Sequence, residues 1–95
     1  MGEDEVFARL LNVLEAECPK ALEDGIPGWD AHLQYDLRLD SADVIVLMAA
    51  LEDEFGLRLE DQDMAHVETV GHVVELVLRA VGEGTTLQES RELQG

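Results

Sequence analysis

Apolar residues recur at α-helical spacing in three separate stretches of this 95-residue chain, and that periodicity limits the possible folds more than any other feature. It predicts one helix over about 4–18, a second from 40 or 41 to about 55, and a third over about 69–82. An acidic segment at 60–66 holds at most a turn or two of helix. We therefore expect an all-α fold: a small bundle of three main helices plus one short helix, with a long first loop.

The ends of these helices carry the residues that start and stop helices. Asp40 or Ser41 can cap the second helix and Thr69 the third, because a short side-chain oxygen accepts from the free amides of a first turn. Proline cannot continue a helix, and glycine is the usual residue just past a helix end. The three stop signals are Pro19, Gly56 and Gly82.

Between the first two helices, the stretch from Pro19 to Leu39 shows no sustained period and predicts a long loop. We expect apolar side chains to tuck under the helices and pin this loop. The expected anchors are Ile26, Trp29, Leu33, Tyr35 and Leu37. A ligand contact by Trp29 or Tyr35 is the alternative.

The second helix carries two apolar faces rather than one. The expected core face is Val44, Leu47, Met48, Leu51 and Phe55. The other face, which we call the outer arc, is Ala42, Ile45, Val46 and Ala49. Either the long loop covers the outer arc, or the arc is a docking surface for a partner protein. Ser41 lies beside it at the helix start, where free amides and the helix dipole favour a phosphate group.

The chain has 22 acidic and 6 basic residues, a formal net charge of -16. This charge disfavours nucleic acid and membrane surfaces as partners and favours basic patches on other proteins, although a merely solubilising surface is the alternative. The short length argues against a self-sufficient enzyme. Cys18 is the only cysteine, the opening is acidic and no apolar run reaches transmembrane length, so we expect a cytoplasmic protein. We also expect it to be a monomer.

We expect one helical domain over 1–82 and a flexible C-terminal tail over 83–95. Cys18 is expected to be a small buried apolar residue rather than a nucleophile, and His32 an ordinary loop residue. Five further residues, acids and histidines, could suggest a metal site, but they lack the spacing of a calcium-binding loop. We therefore expect their side chains to be solvated. They are Asp61, Asp63, His66, Glu68 and His72.

The run from Asp40 to Asp43, with 37–39 before it and the acidic helix end at 52–56 after it, resembles the attachment signature of acyl carrier proteins. The segments 59–63 and 69–71 agree in spacing with later landmarks of that family. The similarity extends over about Val6 to Val81. It implies a carrier that holds acyl groups as thioesters on a 4′-phosphopantetheine arm, in fatty-acid, polyketide or related biosynthesis, with no active site of its own.

This resemblance also implies roles for individual residues. Ser41 matches the serine that receives the arm, and Asp40 matches the acidic residue beside it. The arm would come from coenzyme A, attached by a phosphopantetheinyl transferase with a divalent metal. Other expected partners are acyl-loading, acyl-transferring and condensing enzymes with basic docking patches. Acids fall where the family presents them to such partners, at Asp43, Glu52, Asp53 and Glu54.

Three positions depart from the family pattern. Ala42 stands where Leu is usual, Val46 where fatty-acid members have Glu, and Arg38 where Gly is frequent. We interpret these departures as the mark of a specialised carrier with dedicated partners. The competing interpretation is an acidic helical adaptor without a prosthetic group, in which the outer arc binds a partner and Ser41 only caps a helix.

Because sixteen excess negative charges repel one another in the folded state, we expect salt and divalent cations to raise the melting temperature. Melting curves recorded from low to moderate ionic strength measure this effect. Curves that do not move would contradict an important role for self-repulsion.

Overall fold

The computed structural model describes residues 2–82, and within this range the predicted all-α fold is confirmed. The helices are α1 (Glu3–Glu17), a 3-10 helix (Pro19–Leu22), α2 (Ser41–Phe55), α3 (Asp61–Met64) and α4 (Val70–Gly82). The predicted C-terminal tail, 83–95, lies outside the described residues. Among the helices of residues 2–82, none is long and apolar enough to cross a membrane.

The helix boundaries follow the local signals in the sequence. Asp40, not Ser41, caps α2: its side chain accepts from the Asp43 amide at 2.8 Å, and the Asp43 side chain accepts in return from the Asp40 amide at 3.1 Å. Gly56 ends α2 in the left-handed conformation, with φ +63°, which costs glycine little. At the start of α4, the Thr69 hydroxyl accepts from the His72 amide at 3.2 Å.

The hydrophobic core forms where α1 packs against both α2 and α4. Three of the five predicted core residues of α2, Leu47, Met48 and Leu51, are almost completely buried, while Val44 and Phe55 are partly buried against the same core. Leu, Val and Met therefore fill the interior, as the scarcity of aromatic residues requires. The largest fully buried side chains are Val6, Leu10, Leu14, Leu39, Leu47, Met48, Leu51, Val70, Val73, Val74 and Val77.

The loop anchors predicted from hydrophobicity are correct only in part. Leu33 and Leu37 are buried, but Ile26 and Tyr35 are 75% and 81% exposed, so these two anchor predictions are wrong. Trp29 is 40% exposed and stacks on Phe7 of α1, with ring centroids 5.0 Å apart. Hydrophobic side chains alone therefore do not hold this loop.

Backbone hydrogen bonds to the first turn of α4 also hold the loop. The Val70 amide donates to the Ala31 carbonyl at 3.0 Å, and the Gly71 amide donates to the Trp29 carbonyl at 2.9 Å. A Cβ atom at position 71 would lie 3.1 Å from that same carbonyl oxygen, so glycine permits the close approach. The amides that a helix start leaves unpaired thus bind the loop.

A single arginine fastens α1 to the end of α2. Arg9 donates from Nε to the Glu54 carboxylate at 2.9 Å and from Nη2 to the Glu54 carbonyl at 2.6 Å. Its guanidinium also lies 4.4 Å from the centroid of the Phe55 ring. The cation therefore satisfies a carbonyl at a helix C-terminus, where the helix dipole favours positive charge.

Candidate functional site

Ser41 is the first residue of α2, and it is exposed. Because Asp40 supplies the cap, the serine hydroxyl is not needed to hold the helix start. Within residues 2–82, no acceptor is found for the backbone amides of Ser41 and Ala42, or for the Ser41 hydroxyl. The site therefore combines an accessible hydroxyl with two unpaired amide donors.

These donors fit the phosphodiester of a phosphopantetheine arm on Ser41. Unpaired amides and the helix dipole favour an anion at a helix N-terminus by about 0.3–1 kcal/mol. The carboxylate of Asp43 in the same turn would oppose such an anion, but Lys20 lies against it, with Nζ 2.7 Å from Oδ2. The one lysine in the sequence thus offsets an acid next to the position that such a phosphate would take.

The Lys20–Asp43 ion pair shifts the pKa of both groups. The hydrogen bond from Lys20 lowers the pKa of the Asp43 carboxyl below its ordinary value, with help from the Asp40 amide. The same hydrogen bond raises the pKa of Lys20 above its ordinary value. The pair therefore stays ionised over a wide pH range and ties α2 to the 3-10 helix.

A cavity of about 460 Å³ opens beside Ser41, between the loop, the start of α2 and the segment that joins α3 to α4. Its wall includes apolar side chains and several polar ones. The apolar residues are Leu33, Val44, Ile45, Met64, Ala65 and Val67, and the polar residues are His32, Gln34, Tyr35, Ser41 and Glu68. Because Ser41 lines this cavity, a flexible arm on Ser41 would begin at its edge.

The outer arc of α2 faces solvent. Ile45 is 66% exposed and Val46 is 44% exposed, and Ala42 and Ala49 are also exposed. The alternative in which the long loop covers the arc is therefore wrong for this structure. The loop runs toward the first turn of α4 instead, because its carbonyl groups bind the amides there.

Most of the acids predicted to meet partners already have partners within the chain. Besides Asp43, Glu52 accepts from the Leu59 amide at 2.7 Å, and Glu54 binds Arg9. Asp53 is exposed, and in the part of the chain that the structure describes its carboxylate has no hydrogen bond or ion pair. Asp53 is thus the acid of this set most available to another protein.

Cys18 is buried, as predicted, at the end of α1. Burial raises the pKa of its thiol, and the negative charge of Asp43 raises it further, so the thiol stays protonated. Among the acids and histidines weighed as metal ligands, Asp63 accepts from the Glu60 amide and His72 from the amides of Glu68 and Thr69. These two side chains therefore accept hydrogen bonds from the backbone.

Two comparisons connect the site to known proteins. The family model described as "Phosphopantetheine attachment site" matches residues 6–77. The chain is 40% identical over 90 residues to an acyl carrier protein of Saccharopolyspora erythraea, covering 90% of this chain and 88% of that protein. It is 34% identical over 82 residues to a mitochondrial acyl carrier protein of Neurospora crassa, covering 82% of this chain and 58% of that protein.

The fold has a solved counterpart as well. A crystal structure of an acyl carrier protein from Thermotoga maritima superposes with a TM-score of 0.75 at 27% identity, covering 85% of this chain and 92% of that one. The chain therefore belongs to the phosphopantetheine attachment family and is a carrier of acyl intermediates that bears 4′-phosphopantetheine. Proteins of this family are carriers that work with biosynthetic enzymes.

Three residues of this region acquire roles that the sequence interpretation did not give them. Lys20 could have been noticed as the only lysine beside 22 acidic residues. Arg38 has a left-handed backbone, φ +61°, which explains why glycine is frequent there, and its guanidinium lies 3.0 Å from the Asp24 carboxylate. His32 lines the cavity and accepts two backbone hydrogen bonds, a role with no distinctive sequence signal.

The Lys20–Asp43 pair predicts a specific pH dependence of stability. The depressed pKa of Asp43 gives a contribution that is present above about pH 4 and lost as pH falls through the folded-state value. The raised pKa of Lys20 gives one that is present below about pH 10 and lost as pH rises through the folded-state value. We expect Lys20→Met to lower the free energy of unfolding between these limits and to converge with the wild type outside them.

Urea unfolding of both proteins across the pH range measures this difference. Arg58→Met is the matched control, because it removes the same charge from an exposed residue for which the described chain offers no ion pair. Equal losses in the two variants at neutral pH would contradict a specific contribution from the pair.

Proposed function

We propose that Ser41 is the residue that carries the 4′-phosphopantetheine arm. The observation that carries this proposal is the exposed Ser41 hydroxyl at the start of a helix that Asp40 already caps. Support comes also from the amides of Ser41 and Ala42, which have no acceptor in the described part of the chain and would bind the phosphodiester. The sequence around Ser41 also matches the attachment signature. Asp40 is then a positioning residue that fixes the helix start.

In this proposal the chain holds and presents the arm, and other proteins perform the chemistry. When bound, the arm supplies a terminal thiol that carries the acyl group as a thioester. The first turn of α2 orients the phosphate, and Lys20 reduces the repulsion from Asp43. The chain itself is proposed to catalyse no reaction, so loading, transfer and condensation belong to partner enzymes.

We propose that partner enzymes dock on the outer arc together with Asp53. Exposed apolar side chains at Ala42, Ile45, Val46 and Ala49 offer a surface that a partner can desolvate. Asp53, near the other end of the same helix, adds a carboxylate that has no hydrogen bond or ion pair within residues 2–82. Asp43 and Glu52, also expected to dock, would have to keep or exchange the contacts that they make within the chain.

The proposed partners are a phosphopantetheinyl transferase and the acyl-loading, transferring or condensing enzymes of a fatty-acid, polyketide or related pathway. Docking through Val46 rather than a carboxylate supports a specialised carrier over a general fatty-acid one. Monomeric state and cytoplasmic location stay predictions. The adaptor without a prosthetic group has no observation in its favour, since the family bears phosphopantetheine.

We expect Ser41→Ala to abolish modification by coenzyme A and a broad-specificity phosphopantetheinyl transferase. Stability should change by no more than about 0.5 kcal/mol, because the Ser41 hydroxyl makes no hydrogen bond in the described chain and Asp40 keeps the cap. Intact mass reports the modification, and circular dichroism reports the fold. Ser90→Ala changes the other serine in the sequence and should accept the arm normally; an arm on Ser41→Ala would refute the assignment.

We expect Val46→Glu to slow acyl transfer with the native partner while changing stability by no more than about 0.5 kcal/mol. The new carboxylate must lose water against the apolar pocket that receives Val46. Ile26→Glu is the matched control, because Ile26 is exposed and lies outside the outer arc. Transfer rates and melting temperatures decide the matter: a large loss of stability in Val46→Glu, or equal slowing by both variants, would contradict docking.

A further inference from the structure

His32 is held rigidly at the edge of the cavity beside Ser41. Its backbone amide donates to the Asp36 carboxylate at 2.7 Å, and its carbonyl accepts from the amides of Asp36 and Leu37 at 2.9 and 3.0 Å. The Tyr35 ring stacks on the imidazole with centroids 4.3 Å apart. Residue 32 is also bridged to Thr69, next to the start of α4. Hydrogen bonds therefore hold the backbone of residue 32, and the stacked Tyr35 ring fixes the plane of the imidazole.

The contacts of the imidazole determine where its proton lies. Nδ1 accepts from the amide of Gln34 at 3.1 Å and from the amide of Tyr35 at 3.3 Å. A nitrogen that accepts two N–H groups carries no proton, so a neutral imidazole in this position has its proton on Nε2. His32 thus offers one donor, Nε2–H, for which residues 2–82 provide no acceptor.

This free donor belongs to a residue that shares a cavity with Ser41, Ile45 and Val67. A phosphopantetheine-borne chain is rich in carbonyl oxygens, since the arm contains amides and its cargo is attached as a thioester. Carbonyl oxygens are acceptors only, and the two amides occupy the other side of the imidazole. The chemistry of the donor therefore matches the ligand that family membership implies.

We propose that His32 is a positioning residue whose Nε2–H donates to a carbonyl oxygen of the chain carried on Ser41, holding that chain in the cavity. The proposal rests on the assignment of the arm to Ser41. The carbonyl belongs either to the arm itself or to the acyl group. Because the donor is fixed before the chain arrives, the histidine loses little conformational freedom on forming the hydrogen bond.

His72 is a control for His32 within the same protein, because the two imidazoles make the same kind of hydrogen bonds. Its Nδ1 also accepts from two amides, those of Glu68 at 3.1 Å and Thr69 at 3.3 Å, so its proton is likewise assigned to Nε2. It is not among the residues that line the cavity. The two histidines therefore share a tautomer and a structural role, and differ in access to the arm.

The test is nitrogen NMR of the protein labelled with ¹⁵N in its histidine rings, as apo, holo, butyryl and acetoacetyl forms. Peptide mass mapping first places the arm. We expect the Nε2–H tautomer for His32 in the apo form, and a change of its Nε2 signal on loading that His72 does not show. If the signal already changes in the holo form, the acceptor is a carbonyl of the arm. If it changes in the butyryl and acetoacetyl forms but not in the holo form, the acceptor is the thioester carbonyl. If it changes in the acetoacetyl form alone, the acceptor is the ketone of the cargo.

Substitution tests the donor separately from the turn. His32→Asn keeps an acceptor for the amides of Gln34 and Tyr35, and its own N–H groups, on a shorter side chain, lie at the place of Cδ2 and not at that of Nε2. We expect it to lower the ratio of docked to free arm about 2- to 10-fold, the worth of one neutral hydrogen bond, measured at the methyl signals of Ile45 and Val67. His72→Asn should leave that ratio unchanged.

Several results would overturn the proposal. These are a proton on Nδ1 of His32 in the apo protein, a His32 signal that no loaded form changes, and equal effects of the two asparagine variants. With the arm mapped to Ser41, such results reject the role of His32 alone. An arm mapped to another residue rejects both this role and the Ser41 assignment.

Discussion

The rest of the structure depends on the hydrogen bonds between the long loop and the first turn of α4. A helix start leaves amides without partners, and here the carbonyls of Trp29 and Ala31 accept from two of them. The loop is thereby closed against α4, which leaves it beside α2 rather than over it. The cavity next to Ser41 and the exposure of the outer arc both follow from this connection.

The two long helices that begin after the loop differ in how their first amides are used. At α4 the loop and Thr69 occupy these donors, so this helix start serves the fold. At α2 the cap from Asp40 satisfies the Asp43 amide, and within residues 2–82 the amides of Ser41 and Ala42 have no acceptor. In the described part of the chain, the helix start whose first amides stay without acceptors is thus the one that contains the proposed attachment serine.

Local signals could be read from the sequence, and tertiary contacts could not. The cap at Asp40 and the stop at Gly56 act within a few residues, so both ends of α2 were predictable. Ile26 and Tyr35 were expected to be buried because they are apolar, but backbone hydrogen bonds, whose partners cannot be read from residue type, hold the loop without them. The contacts of His32 were hidden for the same reason.

Charge contributes to this protein differently from what a net charge of -16 suggests. The carboxylates of Asp43, Glu52 and Glu54 bind Lys20, a backbone amide and Arg9, so they stabilise the fold before any partner arrives. A partner that relied on these acids would have to keep or exchange contacts already made. Under the proposed docking, the exposed apolar residues of the outer arc carry no such cost, so shape and hydrophobic contact would select the partner while the overall field only attracts it.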